Sequence, residues 1–268
     1  MLNFKYVSGA ILSLPMLPIM YYQGKRIRAS VPALPAAKNP SGVVHINNQM
    51  PFKLVTLGES TIAGIGVKTH EEGFSGTLAK SIANFLGRTV EWQVFAHSGY
   101  TAKAVTEKIV PNIPDLDPDL IVIGLGGNDA FKLNSPSKWQ KDITNLIQVL
   151  QEKFEGAPIV FTNMPPIKEF PAFTPLIKFV VGNLGEMLGT SLKNLVKSLD
   201  GVDYYSRKIT LGDWVDRLEA DATVNDFFSD GVHPSKLTYQ VWAKDFCNYL
   251  VNQNIISQKA IPNNALNQ

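Results

Sequence analysis

Asp119-Leu120-Ile121-Val122-Ile123-Gly124-Leu125-Gly126-Gly127-Asn128-Asp129 is the stretch on which the fold turns. Residues 119–123 form a nearly unbroken β-branched and aliphatic run. Such a run fits a central parallel strand covered on both faces, where no alternation with polar residues is needed. It stops abruptly at a polar, glycine-rich cluster. In an open parallel sheet, ligands bind beyond the carboxyl ends of the strands, so the cluster stands where a site is expected.

Working outward, short strands are predicted at Leu54–Leu57 and Val90–Phe95 upstream, and at Pro158–Phe161 and Val202–Tyr205 downstream. Helical periodicity falls between them, over about 74–86, 102–110, 137–154, 184–199 and 236–251. Strands alternating with helices imply an α/β fold with a parallel sheet covered on both faces. The chain has 268 residues and 45% hydrophobic content, enough for one sizeable core spanning 52–252, and no internal repeat is visible.

Net charge is +2, but Lys5, Lys25, Arg26 and Arg28 all fall in the first thirty residues, which hold no acid. Setting these four aside leaves 21 basic residues against 23 acidic, so the body is not a nucleic-acid binder. Tyr6 to Tyr22 is uncharged and apolar, though interrupted by Pro15 and Pro18. At about 17 residues it is at the short limit for a membrane span. Bulky Tyr21 and Tyr22 followed by Lys25 and Arg26 argue against cleavage as a signal. An uncleaved anchor in 1–28, keeping the domain cytoplasmic, is favoured over a signal peptide and export to the periplasm. A buried helix is the third reading. Residues 29–51, with Pro32, Pro35 and Pro40, read as a linker wrapped loosely on the body, and 253–268 as a polar tail.

Four polar clusters stand at predicted strand ends or before the last helix: Gly58-Glu59-Ser60, His97-Ser98-Gly99, Gly126-Gly127-Asn128-Asp129, and Asp230-Gly231-Val232-His233-Pro234. Each supplies something acyl transfer needs. A serine hydroxyl needs an adjacent base to become a nucleophile. Histidine suits that task, and a carboxylate on its other nitrogen fixes the tautomer. Asp230 and His233 are three apart, so one turn can present both. Candidate oxyanion donors are the amides of Ser60 and Gly99 and the side chain of Asn128.

With these blocks in this order, the sequence resembles the SGNH hydrolases, the GDSL esterase/lipase superfamily, from about Phe52 to Val251. The resemblance implies a flavodoxin-like three-layer α/β/α sandwich. It implies Ser60 as nucleophile, Gly99 and Asn128 as oxyanion donors, and His233 with Asp230 as base and orienter. Glu59 departs from the family's aspartate; because that neighbour is outside the triad, little damage is expected beyond local hydrogen bonds.

Each block alone has a blander reading. Gly-x-Ser is a common surface loop, Gly-Gly-Asn-Asp a turn, and Asp-x-x-His-Pro a capped helix start. Jointly and in order they favour the enzyme. The Gly-x-Ser-x-Gly elbow of α/β-hydrolases is absent, since Ile62 replaces its last glycine. Gly64 and Gly66 lack the rest of a dinucleotide fingerprint and read as a flexible loop. His45, His70 and His97 show no metal-ligand spacing, and Cys247, the only cysteine, reads as core. Met164 to Val180 is more apolar than a solvated loop; it reads as core packing before an acyl groove or lid.

The expected function is a serine-dependent carboxylic ester hydrolase, without cofactor or metal, acting on a small-molecule or lipid ester. An acyltransferase sharing the acyl-serine intermediate, or a membrane-tethered binding protein with a vestigial site, are the alternatives.

Overall fold

A computed structural model describes residues 2–217 and 223–257. Two helices open the chain, α1 (Leu2–Ser13) and α2 (Leu17–Ser30), joined by a 3-10 turn at Leu14–Met16. The following elements are β1 (Ser41–Val44), β2 (Phe52–Gly58), α3 (Phe74–Leu86), β3 (Val90–Ala96), α4 (Ala102–Lys108) and β4 (Leu120–Gly124). Then come α5 (Gly127–Phe131), α6 (Pro136–Lys153), β5 (Ile159–Phe161), α7 (Pro175–Val196), β6 (Val202–Tyr204), α8 (Leu211–Arg217) and α9 (Lys236–Asn252). The six strands form one sheet in the order β1-β3-β2-β4-β5-β6, parallel except for β1. This is the covered parallel sheet that the alternation implied and the three-layer α/β/α sandwich that the resemblance implied.

The central run divides its side chains between two cores. Leu54, Leu120, Val122 and Val160 face α3 and α9, against Leu78, Ile82, Trp242 and Phe246. Val55, Leu57, Ile121, Ile123 and Ile159 face α4, α6 and α7, against Val105, Ile143, Leu146 and Leu188. Both faces of β4 are therefore dry, which is why its sequence does not alternate. Side-chain caps start the helices flanking the sheet: Ser135 accepts from the Lys138 amide, Thr174 from Ile177, and Ser235 from Thr238.

Three expectations change. The linker contains β1, whose Ser41–Val44 pair antiparallel with Val90–Gln93. Gly42 is needed there, because a Cβ would come within 2.5 Å of the Trp92 ring. Ala37 and Lys38 also donate to the Ala63 and Lys68 carbonyls, so the segment is fastened rather than loose. Helix α7 begins at Pro175 rather than near 184, since the Thr174 cap and Pro175 in the first turn start it at once. And the apolar N-terminal run is not one helix. Pro15 and Pro18 lack the amide that a continuous helix needs, so the run breaks into α1 and α2. Among the described residues no helix is long and apolar enough to cross a membrane. Instead Met20 is buried in the sheet's α7-side core, with Tyr6, Met16, Leu17 and Ile27 packed against it. Residues 258–268 of the expected polar tail lie outside the described residues.

Strands β2 and β4 end together, with Gly58 opposite Gly124. A Cβ on Gly58 would sit 2.2 Å from the Gly124 carbonyl oxygen. We therefore expect Gly58→Ala to destabilise the fold by at least about 1–3 kcal/mol in urea unfolding. Gly87→Ala, at a left-handed helix cap with open space around it, should cost only about 1 kcal/mol.

Candidate active site

The four polar clusters meet at the carboxyl edge of the sheet. Ser60 follows β2, Gly99 follows β3, Asn128 lies in the first turn of α5 after β4, and His233 precedes α9. All four line one groove of about 1110 Å³.

Asp230 organises its loop. Its Oδ1 accepts from the amides of Val232 (2.9 Å) and His233 (2.7 Å), and its Oδ2 lies 2.7 Å from His233 Nδ1. The Asp230 side chain is 0% exposed and that of His233 21%. Burial alone would raise the Asp230 pKa, but the bonds from His233 and Val232 outweigh it and hold the carboxyl below its ordinary range. With Nδ1 engaged, Nε2 of His233 is the nitrogen left for the groove. Gly231, at φ +83°, lies against Ala172, and its carbonyl accepts from the Ala172 amide.

The loop after Ser60 is tied to that turn. The Ser229 hydroxyl donates to the Gly66 carbonyl (3.1 Å), and the Tyr239 hydroxyl to that of Ile65 (2.8 Å). A Cβ on Gly66 would come within 2.4 Å of the Pro234 carbonyl. Gly66 thus permits close approach of the two loops, while a Cβ on Gly64 would come within 2.7 Å of Ala37; neither glycine makes a free loop. His70, expected in a charged loop, is buried, and burial depresses its pKa to about 4. His97 is occupied by Tyr100, their rings stacked 4.1 Å apart.

Glu59 has a larger place than the sequence suggested. It is 2% exposed and accepts three hydrogen bonds: Oε1 from the Gly127 amide (2.8 Å), Oε2 from the Asn128 amide (2.9 Å) and from Asn128 Nδ2 (2.6 Å). It therefore joins the end of β2 to the start of α5 and orients the Asn128 side chain. Asp129 does similar work on the other side, accepting from the Ala102 amide at the start of α4 and from Asn134. Burial pushes the Glu59 pKa to about 7 although its three donors pull it down. Nothing in the local sequence marks this role, since Gly127 is 68 positions away.

The resting arrangement is incomplete in two respects. The Ser60 hydroxyl has no hydrogen-bond partner among the described residues, so no bond to His233 is formed. Asn128 Nδ2 donates both to Glu59 and, at 3.2 Å, to the Tyr100 carbonyl. The backbone N–H groups of Ser60 and Gly99 have no protein acceptor among the described residues. Gly99, at φ +84°, occupies a conformation that glycine adopts without cost.

The groove wall is largely apolar. Phe170, Phe173, Ile177 and Val181 line it, so the apolar stretch before and within α7 both packs the core and faces the site. Helix α2 also lines the groove, a contribution the sequence reading did not foresee. Leu17, Met20, Tyr21, Gly24, Ile27, Arg28 and Val31 recur at helical spacing toward the groove. Among the described residues no group of three or more His, Cys, Asp or Glu is placed to hold a metal ion.

A parallel three-layer sandwich carrying this Ser, Gly, Asn and Asp-x-x-His constellation at its sheet edge is the architecture of the SGNH hydrolases. The chain belongs to the GDSL-like lipase/acylhydrolase family, whose model matches residues 56–241. It is 24% identical over 198 residues to a GDSL-like esterase of Mycobacterium tuberculosis, a match covering 73% of this chain and 61% of that one. The chain thus spans about three fifths of that relative's length. Among solved structures, the psychrotrophic esterase EstA from Pseudoalteromonas matches with a TM-score of 0.54 at 17% identity, covering 76% of this chain and 98% of that one. The salicylyl-acyltransferase SsfX3 of a tetracycline biosynthetic pathway matches with a TM-score of 0.53 at 13% identity, covering 80% and 58%. The family is thus shown by the sequence match, and the fold is shared with these solved structures.

Because Glu59 keeps its proton to about pH 7 when folded but only to its ordinary 4.5 when unfolded, the native state binds more protons between those values. Stability should therefore fall as pH rises through that window, by about 3 kcal/mol in all, and level off above it. His70 acts in the opposite sense below its ordinary 6.5. The difference between wild type and Glu59→Gln isolates the glutamate: in urea unfolding at about pH 5 and about pH 8, the gap should narrow as pH rises. A gap independent of pH would refute the assignment.

Proposed function

We propose that the protein is a carboxylic ester hydrolase working through an acyl-serine intermediate. Ser60 Oγ attacks the ester carbonyl carbon and its proton passes to Nε2 of His233. The carbonyl π electrons move onto oxygen, where the amides of Ser60 and Gly99 and the Asn128 side chain receive them. The oxyanion then collapses, the alkoxide leaves, and it takes the proton from His233. Water, deprotonated by the same histidine, repeats the attack; the second oxyanion collapses, frees the acid and expels Ser60 Oγ, which takes the proton back from His233. Asp230 holds the imidazole and balances the charge it gains.

The observation that carries this reading is the bonded Asp230–His233 pair sharing one groove with Ser60, Gly99 and Asn128. The unpaired amides of Ser60 and Gly99 suit donors held ready for an oxyanion. Asn128 joins them by exchanging its longer bond to Tyr100 for the oxyanion while its shorter bond to Glu59 keeps it aimed. The Ser60–His233 bond forms as substrate enters, since catalytic hydrogen bonds commonly tighten only in the bound complex. The largely apolar groove favours a hydrocarbon acyl chain over acetate.

Fluorophosphonate labelling should mark the wild type and fail on Ser60→Ala; a label that persists would exclude Ser60 as nucleophile. On an aryl-ester panel, Asn128→Ala should lower kcat by about 10² to 10³. A loss confined to KM would remove Asn128 from the oxyanion site. Added alcohol acceptors distinguish hydrolysis from transfer, because a transferase would yield new ester in place of free acid.

A further inference from the structure

The family match starts at residue 56, yet the active-site groove is completed by α2, residues 17–30. That helix is docked rather than adjacent by chance. Met20 is buried in the main core, and the Thr174 hydroxyl that caps α7 donates to Gln23 Oε1 at 2.7 Å. Its groove face mixes apolar side chains with two cations, Ile27 and Val31 standing beside Lys25 and Arg28. Leu17 and Met20 extend the apolar wall, whereas Lys25 and Arg28 line the groove while remaining solvent-exposed, which puts them at its rim.

Among the described residues these two cations have no counter-charge within ion-pair distance. Neither is ion-paired among the described residues; Arg26 beside them lies over the Tyr22 ring instead. Among the described residues the one carboxyl group lining the groove is Glu59, and that is buried and already holds three donors. The groove thus offers an apolar wall, the Ser60 cluster, and a positive rim without ion-pair partners among the described residues.

We propose that Lys25 and Arg28 form an anion subsite, so that the substrate is an acyl ester whose alcohol part carries a negatively charged group such as a phosphate. The inference rests on the reading of the groove as an ester-hydrolase site. The acyl chain lies along the wall of Met20, Phe170 and Ile177, and the charged alcohol lies at the rim. Exposed cations there attract the substrate and set its direction, in a way that salt screens.

The test compares monohexanoylglycerol with hexanoyl glycerophosphate, both below their aggregation concentrations, using the full chain. We expect kcat/KM to favour the phosphorylated ester by about tenfold, as two exposed ion pairs supply. Lys25→Gln with Arg28→Gln should bring the ratio near one, Arg28→Lys should retain most of it, and added salt should erase it in the wild type. A ratio near one in the wild type, or equal losses on both esters in the double variant, overturns the subsite. A preference that appears only with anionic lipid vesicles would assign the cations to a membrane surface and equally overturn it. Calorimetry in the Ser60→Ala background separates this from the proposed reaction. Tighter binding of the phosphorylated ester, lost in the double variant, sustains the subsite even without turnover, and equal binding of both esters rejects it.

Discussion

The site depends on one constraint, the close in-register end of β2 and β4. With Gly58 facing Gly124, the two strands release their chains at the same height and within backbone contact. Ser60 and Asn128 leave from those two ends, so their proximity is set by the sheet and not by the loops. Glu59 then locks the arrangement, because a carboxylate on one chain holds two successive amides and a side-chain amide on the other. A shift of one residue in register would exchange side chains between the two cores as well as separate the site, so core packing and site geometry enforce the same pairing.

Much of this was legible in the sequence. The unbroken run at Leu120–Ile123 marked a central parallel strand because both its faces are buried, and the ends of such strands located the polar clusters. The Asp230–His233 turn was legible from its spacing, since three positions fit one turn in which Asp230 also binds the backbone. The start of α7 was written in Thr174 and Pro175, and was missed because the apolar stretch before it was weighed as packing or lid without regard to its cap.

Other parts were not legible, for physical reasons. Strand β1 has four residues and is held by backbone pairing, which leaves no side-chain period to read. The role of Glu59 depends on donors that the fold brings from a distant block, and one residue changed from a family pattern carries no sign of its partners. The apolar face of α2 was visible as an apolar run, but such a run fits lipid, a signal or a core equally. Only the breaks at Pro15 and Pro18, together with the buried Met20, resolve it into two helices resting on the domain.

Strand β1 also matters for the sheet as a whole. Lying antiparallel along β3, it occupies a row of amide and carbonyl groups that would otherwise face solvent. Bare strand edges invite pairing with other chains. A fragment starting at Phe52 would keep Ser60, Gly99, Asn128, Asp230 and His233 while uncovering that edge. The smallest unit that keeps the β3 edge covered is therefore larger than the smallest unit that holds the site, and the residues making the difference lie outside the family's own boundaries.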